Sequence, residues 1–374
     1  MCIAIPLIEI WEREAIVKEY DAGPRSSGTE PWENPDFELL KNKDRFGFIR
    51  KEGAHKIDRV AEKRHSLEES RNADKFDEAL KLWPSDEPTP PKIVEHVWIG
   101  IPDCKRGKAW IRLLDVEALR QRARKGMYED LLARARLVCP DMKLIDLDIV
   151  RTFRNHVEYR KRCDLKQRAL FNVLIAYAMF NTEVGYCQGM SQIAALFLMY
   201  MDEEDAFWCL HSLMIGKKYG MHGFFVHGFP KLMRFQAHYE KVLHSHLPRD
   251  NACIPPIYLT KWWFGCFLDR VPFSLALRVW DVFLLEGESI LIAMAFTIMK
   301  MHQKTIKRLE METFMNFIQN DLSENFGFSN DEVMKALYEN LKKLQADRVA
   351  IPPLPGPNDL PEFPTKNLAP ILTR

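Results

Sequence analysis

The run Leu170–Phe180 reads Leu-Phe-Asn-Val-Leu-Ile-Ala-Tyr-Ala-Met-Phe. A helix of this composition is apolar around almost its whole circumference, so other elements must enclose it. It is too short to cross a membrane, and no apolar run in the chain reaches that length. Two polar-tipped segments flank it, Ile145–Phe153 before and Val184–Ser191 after, and the three read as one packed unit. Apolar residues recur at helical spacing through the chain beyond it. Gln192–Met201 is nearly all apolar. Glu203-Glu204-Asp205 then suits the first turn of a helix carrying Phe207, Trp208, Leu210 and Leu213. Phe273–Leu285 and Ser289–His302 continue the pattern. Leu, Met, Phe, Lys and Glu are plentiful, β-branched runs are few, and 17 glycines in 374 residues is low for an all-β chain. The expected fold class is all-α, with 47% apolar residues to fill a core.

The first ninety residues, 1–90, read as an arm and linker. Trp11–Tyr20 has helical spacing, and Asp44-Arg45-Phe46-Gly47-Phe48 reads as a short extended segment that docks an aromatic ring. A charged helix is expected over 56–82, and the prolines between Pro84 and Pro91 mark a boundary. Residues 91–346 form the folded domain. Within it, 116–137 reads as strongly basic and helical, with a solvated face the commoner meaning and a surface for acidic partners or lipid headgroups the rarer one. Pro230 opens a helix to His246, and Pro255-Pro256 breaks the chain. Amphipathic helices are expected at 310–322 and 330–346. The tail, 347–374, is proline-rich and extended. A PxxP match there fits an SH3 ligand, although an unstructured end is the commoner meaning of such a sequence.

The charge balance, 53 basic against 52 acidic residues, gives no overall basic surplus of the kind a nucleic-acid binder carries. The expectation is no nucleic-acid partner and no transmembrane segment. The eight cysteines are scattered, with no C-x-x-C, and read as reduced thiols of a cytoplasmic protein. Gly107-Lys108 invites a phosphate-loop reading that fails: six residues separate Gly100 from Gly107, and Ala109 stands where a magnesium-binding hydroxyl is needed. Cys187 lies among apolar residues, where a free thiol is usually inert packing. The histidines between His222 and His246 lack metal-ligand spacing, so no metal site is expected. On residue chemistry alone, Arg151 and Gln188 do not stand out from other surface side chains.

Motif content carries the reading further. Ile145, Asp148 and Arg151 fit I-x-x-D-x-x-R, and Tyr186, Gln188 and Gly189 fit Y-x-Q-G. With Gly100-Ile101-Pro102, Arg106-Gly107 and Trp110 ahead of them, and Trp280-Asp281 and Glu286-Gly287 behind, the series resembles the motifs of TBC domains in order. One subgroup of that family is similar over nearly the whole chain, including the run Thr152-Phe153-Arg154 where many TBC domains have Thr-Phe-Pro. The resemblance implies a two-lobed helical TBC domain over 91–346, with lobes of roughly 91–215 and 216–346. It implies a GTPase activator rather than an enzyme with its own hydrolytic site. The partner is a Rab GTPase in its GTP form, which brings both GTP and magnesium; the chain needs no cofactor of its own. Arg151 and Gln188 are the implied catalytic fingers. Asp148, Tyr186 and Gly189 are the implied supporting or partner-binding residues, with Tyr186 expected against the Rab switch region. Arg106, Trp280, Asp281 and Ile145 are expected to be structural. Cytoplasmic work at endosomal or Golgi membranes is expected. The rival reading is a non-catalytic TBC-like scaffold or Rab effector.

Overall fold

The computed structural model describes residues 7–24, 42–50, 59–84, 87–247 and 255–356. Its regular structure is helical, as expected. Among the described residues, extended pairing is limited to isolated bridges, Lys43 with Ile49 and Phe48 with His156. The chain separates into two compact units. One holds 116–211 with the described segments up to Leu67. The other holds 68–115 and the described part of 212–362.

The division departs from lobes of 91–215 and 216–346, because 91–115 belongs with the later sequence. The reason is a set of buried polar ties inside the second unit. Ser212 Oγ donates to the Leu114 carbonyl at 2.5 Å, and Tyr219 Oη donates to Leu113 O at 3.1 Å. Arg106 donates through Nε to Asp281 Oδ1 at 3.1 Å and through Nη2 to Ile101 O at 2.9 Å. Trp110 Nε1 donates to the same Asp281 oxygen at 2.8 Å. Asp281 is fully buried. Burial raises the pKa of its carboxyl, and Arg106 opposes that shift. Arg106, Trp280 and Asp281 are thus core residues, as the sequence suggested.

In the first unit, the helix Leu165–Phe180 is the centre. Leu170, Phe171, Val173, Leu174, Ile175 and Tyr177 have no exposed surface. Each such aliphatic or aromatic side chain contributes roughly 1.5–3 kcal/mol by leaving water. The helices Met127–Val138, Met142–Arg151 and Met190–Tyr200 pack around it. The N-terminal helix Leu7–Ala22 belongs to this core rather than to a detached arm. Tyr20 stacks on Phe171 with ring centroids 4.1 Å apart, and its hydroxyl donates to Asp146 at 2.8 Å. The basic stretch 116–137 is two helices, Val116–Arg122 and Met127–Val138. Gly126, at φ +76°, makes the left-handed turn between them, a conformation that few other residues adopt without strain.

In the second unit, Phe273–Glu286 packs against Pro91–Ile99, Ser289–Met301 and Asn330–Ala346. Pro230–His246 forms as expected. Pro255-Pro256 opens the helix Pro255–Phe264 instead of interrupting the chain, since the first helical turn needs no proline N–H. Arg234 donates to the Pro353 carbonyl at 2.8 Å, so the start of the tail lies against this unit. The described residues of the tail end at Gly356 and include the Pro352–Pro355 PxxP match; residues 357–374 lie outside them. No described helix is long and apolar enough to cross a membrane. Among the described residues, no cluster of His, Cys, Asp or Glu could hold a metal ion.

Candidate functional site

Arg151 is the last residue of the helix Met142–Arg151. Met142, Ile145 and Ile149 face the core, while Leu144, Leu147, Val150 and Arg151 remain exposed. Residues 144, 147 and 151 share one face at helical spacing, so two leucines run up to the arginine along an open stripe. Leu147 is 60% exposed.

Asp148 lies one turn before Arg151 and is only 1% exposed. Its Oδ1 takes the Arg151 guanidinium. Its Oδ2 accepts a hydrogen bond from the Tyr186 hydroxyl at 2.7 Å. A buried carboxylate costs several kcal/mol unless its oxygens are paired, and here both are. Asp148 therefore ties the Arg151 side chain to Tyr186 through its two oxygens.

The second segment is the turn Val184–Gly189. Gly185 and Gly189 adopt φ +60° and +106°, and a Cβ on Gly185 would stand 2.7 Å from Asp141 Oδ2. That same oxygen accepts the Tyr186 backbone N–H at 3.0 Å, and burial raises the Asp141 pKa. Gly189 caps the helix Met190–Tyr200. Gln188 is exposed. Tyr186 is not available to a partner as the sequence suggested: it is 6% exposed, because its hydroxyl turns inward to Asp148. Burial pushes the Cys187 thiol up, with Asp148 adding to the effect. That is the opposite of an activated thiolate.

Two ties join the segments. The first is the Tyr186–Asp148 bond. The second pairs the Thr152 and Ser191 hydroxyls at 2.8 Å, while Thr152 Oγ1 also donates to the Asp148 carbonyl at 2.7 Å. Tyr186 and Ser191 bracket Gln188; Asp148 and Thr152 bracket Arg151. The two exposed side chains thus stand on backbone fixed from both sides by buried hydrogen bonds. Thr152, Ser191 and Asp141 were not singled out from sequence. Only the glycine beside Tyr186 hinted that something pressed on that turn.

Residues 103–307 match the family model described as the Rab-GTPase-TBC domain, which is more than half of the chain. The chain belongs to the Rab-GTPase-TBC domain family. The segments that carry Arg151 and Gln188 both lie inside the matched region. The ecotropic viral integration site 5 protein homolog of Homo sapiens is 29% identical over 272 residues, covering 70% of this chain and 33% of that protein. The chain thus spans about a third of that relative's length. Among solved structures, the Chlamydomonas flagellar RabGAP TBC domain aligns at TM-score 0.64 and 21% identity, covering 79% of this chain and 98% of the other. The Ypt/Rab-GAP domain of Gyp1p aligns at TM-score 0.60 and 17% identity, covering 75% and 99%. At these identities the structural likeness concerns the TBC fold.

Proposed function

We propose that this TBC domain accelerates GTP hydrolysis by Rab-family GTPases, with Arg151 and Gln188 supplied together to the partner's nucleotide. The observation that carries the reading is the pair of ties, Tyr186–Asp148 and Thr152–Ser191, that fixes the two exposed side chains on adjoining backbone. Phosphoryl transfer asks little covalent chemistry of the protein. It needs positioning, and stabilisation of charge on the transferring group. The Arg151 guanidinium, permanently charged and planar, neutralises charge on the γ-phosphoryl oxygens and the bridging oxygen. The Gln188 amide can accept a hydrogen bond from the attacking water through its carbonyl oxygen and donate one to a phosphoryl oxygen through its NH2, so it orients that water in place of the partner's own glutamine. GTP and magnesium belong to the Rab. Leu144 and Leu147 offer an apolar contact next to the arginine. Cytoplasmic action at endosomal or Golgi membranes is part of the same reading.

The test is a single-turnover hydrolysis screen of the full chain against a complete panel of GTP-loaded Rabs. At least one Rab is expected to respond. Arg151→Ala should lower the stimulated rate by roughly 10³-fold or more, and Gln188→Ala should remove most of it. A wild-type chain that accelerates no Rab in the panel refutes the proposal.

A further inference from the structure

We infer that the turn Asp44–Ile49, which precedes the matched TBC region in sequence, is a positioning clasp for the arginine finger. The argument starts at Phe153, two residues after Arg151. Phe153 is a non-glycine residue in the left-handed region, at φ +44°. An L-residue is strained there, and such conformations persist only where neighbours over-determine them. This one sets the direction in which the backbone leaves the finger helix.

The neighbours come from the Asp44–Ile49 turn. Phe48 meets the Phe153 ring edge-on at 5.9 Å and the His156 ring at 5.0 Å. Ile49 N donates to Asn155 O at 2.8 Å, and Val157 N donates to Gly47 O at 3.0 Å. His156 Nε2 pairs with the Phe46 carbonyl at 2.7 Å, and its Nδ1 accepts from Glu158 N at 3.2 Å, which assigns the proton to Nε2. Asp44 organises the turn itself by accepting from Phe46 N and Phe48 N, each at 2.9 Å. The segment after the finger is thus held on one side by Thr152–Ser191 and on the other by this clasp. Gly47 lies against the His156 ring. It sits at φ +95°, and a Cβ there would stand 2.6 Å from His156 Nε2.

The contacts of these residues are with the segment 153–157 that follows Arg151. They act through the backbone that carries it, so the clasp should govern the rate at saturation rather than affinity. The activity arm of the test rests on the Rab-activating function proposed above; the exchange arm does not.

The experiment uses the full-length chain with Gly47→Ala, Phe48→Ala and Phe48→Tyr. In amide hydrogen exchange on the free protein, Gly47→Ala and Phe48→Ala are expected to raise exchange across Thr152–Val157 at least tenfold. The helix Leu165–Phe180 should keep its protection. With a responsive Rab, both variants should lower the maximal stimulated rate at least tenfold and change the half-saturating concentration less than threefold. Phe48→Tyr, which keeps the ring, should restore both readouts. If Gly47→Ala does not fold, the two Phe48 variants carry the test. Unchanged exchange at Thr152–Val157, or an equal rise in Leu165–Phe180, overturns the inference. So does a loss confined to half-saturation. If the wild type activates no Rab, the functional proposal fails and the exchange result alone decides the clasp.

Discussion

The Tyr186 hydroxyl donates to Asp148 Oδ2 at 2.7 Å while the other oxygen of that carboxylate holds Arg151. One buried group therefore links the residue two before Gln188 to the arginine itself. Its burial makes the geometry stiff, because any rearrangement would leave a charge unpaired away from water.

Tyr186→Phe isolates that link, since the ring stays and only the hydroxyl goes. Asp148 Oδ2 loses this donor, at a cost of about 1–3 kcal/mol in stability. The stimulated hydrolysis rate should fall about tenfold, which corresponds to about 1.4 kcal/mol of lost transition-state stabilisation. Urea unfolding and single-turnover hydrolysis measure the two effects. A variant with wild-type rate would show that Tyr186 serves the fold alone.

Arg151→Lys separates charge from shape. Lysine keeps the cation but lacks the planar fork that engages two oxygens at once. The lysine variant should sit closer to Arg151→Ala than to wild type, with at least a hundredfold loss in stimulated rate. Gln188 has a sharper test on the partner side. A Rab carrying Leu in place of its own switch glutamine should still respond to the wild-type chain and should not respond to Gln188→Ala. If that Rab fails to respond to either protein, Gln188 does not replace the partner's glutamine.

Much of the architecture was legible from local signals. Pro230 at a first turn marked the helix that follows it. Ser329 and Glu332 form a reciprocal capping box at the start of Asn330–Ala346, close to where periodicity placed that helix. The continuous basic pattern of 116–137 hid a break, because one glycine weighs little in a periodicity while its φ of +76° decides the chain path. The segment Asp44–Phe48 docks an aromatic ring, as its sequence suggests, but its partner Phe153 lies far along the chain and leaves no local signal, and the same holds for Tyr20 and Phe171. At the site, motif order drew attention to Arg151, Asp148, Tyr186 and Gln188. The ties Thr152–Ser191 and Asp141–Tyr186 were invisible, since hydroxyls and carboxylates pair across the fold without leaving a spacing signal.

The leucine stripe beside Arg151 gives a prediction about binding rather than chemistry. Leu147 is 60% exposed on the face that ends in Arg151. Leu147→Asp should leave the unfolding midpoint within about 0.5 kcal/mol of wild type, as surface substitutions usually do. It should raise the half-saturating concentration for a responsive Rab about tenfold and leave the rate at saturation within threefold. An unchanged half-saturation would remove this stripe from the docking surface.

His302, in the second unit, gives a prediction about pH. Its ring lies 4.8 Å from Phe326, 5.3 Å from Phe317 and 5.4 Å from Phe328 between centroids, and the residue is 7% exposed. Burial lowers its pKa from 6.5 to about 4. Above pH 6.5 it is neutral in both folded and unfolded chains and carries no pH dependence. Between 6.5 and 4 the unfolded chain takes up a proton that the folded one resists, so stability falls as pH falls through that window. The slope cannot exceed about 1.4 kcal/mol per pH unit for one group. His302→Phe keeps an aromatic ring in the cage and removes the titration. The stability difference between variant and wild type should therefore move in the variant's favour on going from pH 7 to pH 5, as read by denaturant midpoints. His156, whose pKa burial also lowers, titrates in both proteins and cancels in that difference. A difference that stays flat across the window would mean that the folded protein accepts the charge on His302 as readily as water does.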